Sequence, residues 1–233
     1  MAKRQIILDT ETTGINPKDG HRIVEIGCVE LINRRFTGNN FHVYINPERI
    51  IDAEVVAVHG ITNERVRHEP KFREIAQDFY NYIQGAELVI HNAAFDVGFI
   101  NHEFSMLHPQ LPPVAEYCTI LDTLLMAREM HPGQKNNLDA LCRRYDINNS
   151  HRTLHGALLD AEILADVYLL MTGGQVSLNL ANEQEGQDQG QGPAAIKRSG
   201  QLKVLRATDE ELAAHESRLD LVQKKGGSCL WRN

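Results

Sequence analysis

RQIILDTETTGINPKDGHRIVEIGCVELINRRFTGNNFHVYINP, residues 4–47, contains three extended runs in succession. RQIILD (4–9) is a short apolar run ending in an acid, a pattern that predicts a buried strand. RIVEIGCVELIN (22–33) alternates, Ile23, Glu25 and Gly27 against Val24, Ile26 and Cys28, as a strand does. NNFHVYINP (39–47) alternates in the same way and stops at Pro47. Strand follows strand follows strand, so the sheet is expected to open as an antiparallel meander.

Downstream the period changes. In PKFREIAQDFYNYIQG (70–85), Phe72, Ile75, Ala76, Phe79 and Ile83 lie at helical spacing. Pro70 precedes the first turn of that helix and Gly85 closes it. ELVIHN (87–92) reads as another strand. Residues 93–107 read as a helix with Phe99, Ile100, Phe104 and Leu107 on one side, and shorter helical segments follow near 121–130 and 137–145. A last strong helix is predicted from about Gly156 to Met171. A meander, then helix–strand–helix, then helices gives an α/β class: a mixed sheet flanked by helices.

Composition narrows the function classes. The 233 residues are 42% hydrophobic and 24% charged, ordinary for a globular protein. No apolar stretch approaches the roughly 20 residues of a bilayer span. The start, MAKRQIILDTETTG, has only three apolar residues before an acid, too few for a signal peptide. Cys28, Cys118, Cys142 and Cys229 are scattered with no CxxC pair, which suits reduced thiols and a cytoplasmic location. A net charge of −7 argues against holding nucleic acid on a broad basic surface. An enzyme that meets nucleic acid only at a metal-filled site remains open, and it would gain from being tethered to a better binder.

The character changes at Gly173. Residues 181–200 hold one large apolar residue, Ile196, among glutamines and glycines. Such a segment buries too little to offset its ordering entropy, so a flexible linker is expected, spanning roughly 25 Å. Thr208 and Glu211 then have capping-box spacing, and Gly226 and Gly227 end a C-terminal predicted helix. Leu205, Leu212, Leu219 and Val222 form an apolar stripe, followed by Cys229, Leu230 and Trp231. Folding back onto the first domain is one use for this stripe. Docking on a partner suits the linker better.

Acids stand where chemistry is easiest to build. Asp9 and Glu11 are two apart at a strand end, so both carboxylates share a face. In HNAAFD (91–96), His91, Asn92 and Asp96 occur where strand meets helix, and Asp96 is embedded among apolar residues. An acid placed there is costly unless paired or metal-bound. In HGALLDA (155–161), His155 and Asp160 are five apart, which is about 140° of rotation on a helix. They converge only if His155 lies on the approach to the helix and Asp160 in its opening turns. Four carboxylates cannot share a pocket uncompensated. An oxygen set without cysteine favours hard ions such as Mg2+ or Mn2+. Two such ions clamp a phosphodiester, and His155 is the candidate base. Taken singly, each of these motifs has an ordinary alternative: a surface strand end, a capping acid, a core histidine.

DTETTG (9–14), HNAAFDVGF (91–99) and HGALLDA (155–161) together resemble the three motifs of the DEDDh 3′→5′ exonucleases, which have a ribonuclease-H-like fold. NRRFTGNNFHVYINP, VHGIT and the terminal RLDLVQKKGGSCLW are similar to the proofreading-subunit family of bacterial DNA polymerase III. The resemblance implies metal ligands at Asp9, Glu11, Asp96 and Asp160 and a general base at His155, all five being catalytic positions. It implies contacts to the substrate, a DNA 3′ end, from Asp9, Glu11 and Asp160 and from Glu54, His59, Asn92, Thr10 and Thr12.

The implied layout is an exonuclease domain over 1–174, a sliding-clamp-binding motif at 175–180, a linker at 181–200 and a polymerase-binding segment at 201–233. Gln175, Leu178 and Leu180 would meet the clamp. Leu212, Leu219, Val222 and Trp231 would meet the alpha (polymerase) subunit. Relatives in this family also imply a small theta subunit on the catalytic domain. The competing readings are a DEDDh ribonuclease trimming RNA 3′ ends, and an adaptor in which catalysis is secondary. The linker and the C-terminal helix speak against the first, and five intact catalytic positions speak against the second.

Overall fold

The computed structural model describes residues 3–149, 154–173, 207–227 and 229–232. The expected clamp motif at 175–180 and linker at 181–200 lie outside the described residues. The chain divides into two units, residues 1–178 and 179–233.

In the first unit, β1 (Arg4–Thr12) is the central strand. It pairs antiparallel with β2 (Ile23–Ile32) and parallel with β5 (Glu87–Ile90). A third run closes the opening meander in two pieces, β3 (Arg35–Phe36) and β4 (Phe41–Tyr44), both antiparallel to β2. On the other side β6 (Thr119–Asp122) runs parallel to β5 and forms that edge. The β6 strand was not expected; it is four residues long and runs straight into a helix.

β2 departs from its alternating pattern. Nine of its ten positions are buried, including Glu25. Helices cover both faces of the sheet, so polar residues that look solvent-facing in sequence are enclosed. On one face Ile6, Leu8, Ile23, Ile26 and Cys28 pack with helices α3 (Phe72–Ile83) and α4 (Ala93–Ser105). The apolar spacing predicted for α3 holds, since Phe72, Ala76, Phe79 and Ile83 are its buried residues. Burial of each phenylalanine and of Ile83 contributes about 1.5–3 kcal/mol. On the other face Ile7, Val29, Leu31 and Val89 pack with Ala161, Leu164, Ala165 and Tyr168 of α7 (Ala157–Thr172). α7 continues onto α5 (Thr123–Met130) and α6 (Leu138–Arg144) through Ile163, Val167 and Met171. Two short helices outside the expected set, α1 (Ala53–His59) and α2 (Asn63–Val66), flank Ile51 and Ile61, which pack on Val24.

α7 lies unusually close to the sheet. A Cβ built on Gly27 would sit 2.1 Å from the Leu158 amide nitrogen. Only a residue without a side chain lets the start of α7 rest on β2 at that point.

The second unit contains α8 (Asp209–Gly226), whose capping box joins Thr208 and Glu211 as expected. Gly227 ends it in the left-handed conformation at φ 75°. Arg232 folds back on the helix, donating to Asp220 Oδ1 at 2.6 Å and to Glu216 Oε2 at 2.5 Å. Leu212, Val222 and Trp231 are exposed, Trp231 to 84% of its full area, whereas Leu219 is buried within the chain. No described helix is long and apolar enough to cross a membrane.

Candidate active site

Parallel pairing of β1 and β5 brings their C-terminal ends side by side, the usual place for a site in a sheet of this kind. The residue period on β1 then sorts the side chains. Ile7 faces α7, so Asp9 and Glu11 continue that face towards the start of the helix. Both are half-buried and open onto a cleft of about 360 Å3. The β1–β2 ladder slips between Glu11 and Thr12, and the chain turns away there.

Thr10, on the opposite face, holds Asp96. Its backbone N–H and its hydroxyl donate to Asp96 Oδ1 at 3.0 and 2.7 Å. Asp96 stands in the first turn of α4, fully enclosed. Burial pushes its carboxyl up to about 7, against the stabilising bonds from Thr10. An acid so placed ionises at low cost only beside a compensating positive charge.

The convergence of His155 and Asp160 is realised as the rotation argument requires. His155 precedes the Gly156 cap of α7, and Asp160 lies in the first turn, buried. His155 Nδ1 is 3.2 Å from Asp160 Oδ2. Ligand atoms of Glu11, His155 and Asp160 all lie within 4.8 Å of one another. Asp9, Asn92 and Asp96 line the same cleft, as does Asp139, and among the described residues that line it none is a lysine or arginine. The donor set is oxygen and imidazole, without thiolate. It fits hard divalent cations, whose charge would offset the burial that raises the Asp96 carboxyl.

The remaining expected contacts divide. Thr10 and Glu11 also line an adjoining groove of about 270 Å3, with Thr12, Glu54 and His59. Glu54 and His59 therefore face this groove, while Asn92 faces the carboxylate cleft. His59 Nδ1 accepts the Ile61 N–H at 2.9 Å, and burial lowers the ring's pKa, so it is neutral near pH 7. Exposed Ile15 and Val58 form an apolar rim to the groove.

Asp122 has a role that the sequence did not reveal. Asn92, at φ 69°, starts α4 without a side-chain cap of its own. Asp122 accepts from the Asn92 and Ala93 N–H groups at 3.2 and 3.0 Å, and from the Leu124 and Leu125 N–H groups of α5. One carboxylate at the end of β6 thus caps two helices, one of which carries Asp96. The signal was an acid directly before a helical run. Its reach to a second helix, about thirty residues away in sequence, could not be read there.

The family model of the RNase_T exonucleases matches residues 6–168. The DNA polymerase III subunit epsilon of Escherichia coli (strain K12) is 60% identical over 237 aligned residues, covering 98% of this chain and 97% of that protein. The subunit of the same name in Haemophilus influenzae is 54% identical, covering 98% and 94%. Among solved structures, exonuclease X in complex with 5′ overhanging duplex DNA superposes with a TM-score of 0.55 at 27% identity, covering 72% of this chain and 91% of that one.

Proposed function

The chain belongs to the RNase_T exonucleases and, within them, to the epsilon subunits of DNA polymerase III, and on that footing we propose how its residues divide the work of proofreading. It is a 3′→5′ exonuclease acting as the proofreading subunit of the replicative polymerase. The observation that carries the residue assignment is the meeting of Asp9, Glu11, Asp96 and Asp160 with the His155 imidazole, from three distant segments, in a single cleft.

Asp9, Glu11, Asp96 and Asp160 would hold two divalent cations, Mg2+ or Mn2+. Bound there, the ions would stabilise the attacking and leaving oxygens of an in-line displacement. The protein's own part is positional. Thr10 fixes the Asp96 carboxylate. Asp160 orients the His155 ring through Nδ1, so Nε2 takes the proton from the attacking water. The 3′-terminal nucleotide lies along the adjoining groove, which Glu54, His59 and Thr12 line, with Asn92 towards the cations. Hydrolysis releases a 5′-mononucleotide.

Incubating the full chain, without polymerase, on primers with paired or mispaired 3′ ends tests this reading. Release of 5′-mononucleotides should require a divalent cation and should be faster from the mispaired end, because a mispaired base costs less to unpair. Preferential trimming of RNA over DNA 3′ ends would overturn the substrate assignment.

The same reading gives the second unit a tethering role. Residues 201–233 would bind the alpha subunit, Gln175, Leu178 and Leu180 the sliding clamp, and the catalytic domain a small theta subunit. Support comes from the exposed Leu212, Val222 and Trp231 on and just beyond α8, since large apolar anchors dominate interfaces. A tether also answers the −7 charge, because a flexible link supplies effective concentrations in the mM range. Truncation after Gly200 should leave hydrolysis of short single strands within about twofold of the full chain and abolish co-purification with the polymerase subunit. Leu212→Ala with Trp231→Ala should weaken the pull-down in the same direction. Undiminished binding by the truncated chain would move the contact to the catalytic domain.

A further inference from the structure

α7 begins at a residue that cannot cap it. Gly156 holds the cap position and has no side chain to accept from the helix's first N–H groups. The acceptor comes instead from the sheet. Glu25 Oε2, on β2, accepts the Ala157 N–H at 3.0 Å. Glu25 is 2% exposed. Its other oxygen, Oε1, meets His42 Nε2 at 2.7 Å. Tyr44 stands opposite Glu25 in the β2–β4 ladder, and burial together with this carboxylate pushes its phenol up. This carboxylate is held by neighbours on β4, the next strand, and reaches neither cleft nor groove.

The residue on the other side of Gly156 is tied as well. The His155 N–H donates to the Val58 carbonyl, at the C-terminal end of α1, at 3.2 Å. The imidazole that faces the cleft is thus mounted on a three-residue span pinned at both ends, by Val58 before it and by Glu25 after it. Asp160 follows in the same turn, its own N–H donating to Gly156 O at 2.8 Å. A shift of the Ala157 amide would displace the base and a carboxylate together.

We propose that Glu25 is a positioning residue for catalysis: it caps α7 from the sheet and thereby sets the placement of His155 and Asp160. The inference rests on the assignment of His155 as base. Its requirement is an acceptor of the right length at position 25. Glu25→Gln keeps that acceptor, Glu25→Asp keeps the charge but withdraws it by one carbon–carbon bond, and Glu25→Ala removes it.

Steady-state kinetics on a short single-stranded DNA with the full chain, together with amide hydrogen exchange, test the proposal. Glu25→Ala and Glu25→Asp should lower kcat by about 10–100-fold, as loss of a group that orients catalytic ligands does, with KM changed less than about threefold. Exchange at the Ala157 amide should speed at least tenfold in both, measured without added metal, while exchange in α3 stays as in the parent protein. Glu25→Gln should stay within about threefold in kcat. If Glu25→Ala does not fold, Glu25→Asp against Glu25→Gln decides the matter. The proposal is overturned if Glu25→Asp keeps its kcat, or if Glu25→Gln falls as far as Glu25→Asp. His155→Ala, run alongside, separates the two readings. Should it lose turnover while Glu25→Asp does not, only the positioning role fails; should it keep turnover, the base assignment fails and the positioning role with it.

Discussion

Asp9→Ala and Asp160→Ala should each reduce hydrolysis of a DNA 3′ end by about three orders of magnitude or more. Metal clamps on a displacement are worth several kcal/mol, and each 1.36 kcal/mol is a decade in rate. Asp9 reaches the cleft from the central strand and Asp160 from α7, so either change removes one wall of the cation site. The loss should not be one of folding. Five carboxylates, Asp139 among them, line one cleft, and like charges there oppose the metal-free fold. Both variants should therefore melt in EDTA at or above the temperature of the parent protein. Initial rates across a Mg2+ titration, paired with thermal melts, check both halves. Full activity of Asp9→Ala, or full activity of the parent chain in metal-free buffer, would end the metal mechanism.

His155→Ala should lower turnover by about 10²–10⁴-fold, the usual worth of a general base, and leave binding of the DNA end nearly as it was. The imidazole is half-exposed at the cleft mouth and carries little of the core, so the change is a local one. The pH–rate profile should also lose the ascending limb that a general-base imidazole imposes. A variant that keeps its rate but binds the end poorly would make His155 a substrate contact instead.

How much of this was legible before the structure depends on the residue. Asp9 and Glu11 were readable because a strand has period two, and the strand is regular up to the slip after Glu11. His155 and Asp160 were readable because five residues on one helix would have separated them, which forced His155 off the helix. Glu25 and Glu30 were not. Within β2 they alternate with apolar residues and look solvent-facing, yet both are buried: Glu25 against Ala157 and His42, Glu30 against Arg4 and Thr37. Alternation reports which residues share a face, and not whether a helix covers it. Strand β6 and helices α1 and α2 escaped for a different reason. Their runs are four to seven residues long, too short for a period to show, and their partners lie far along the chain.

The contact between Gly27 and the start of α7 has a consequence for heredity. Gly27 lines neither the cleft nor the groove and carries no charge, yet any side chain there would push against the helix bearing Asp160, just after His155. The genetic target for careless copying is therefore wider than the five residues that do the chemistry. A single codon change in the middle of a β-strand would be transmitted to descendants together with the replication errors it lets through, and a lineage carrying it would accumulate mutations without having altered one catalytic atom.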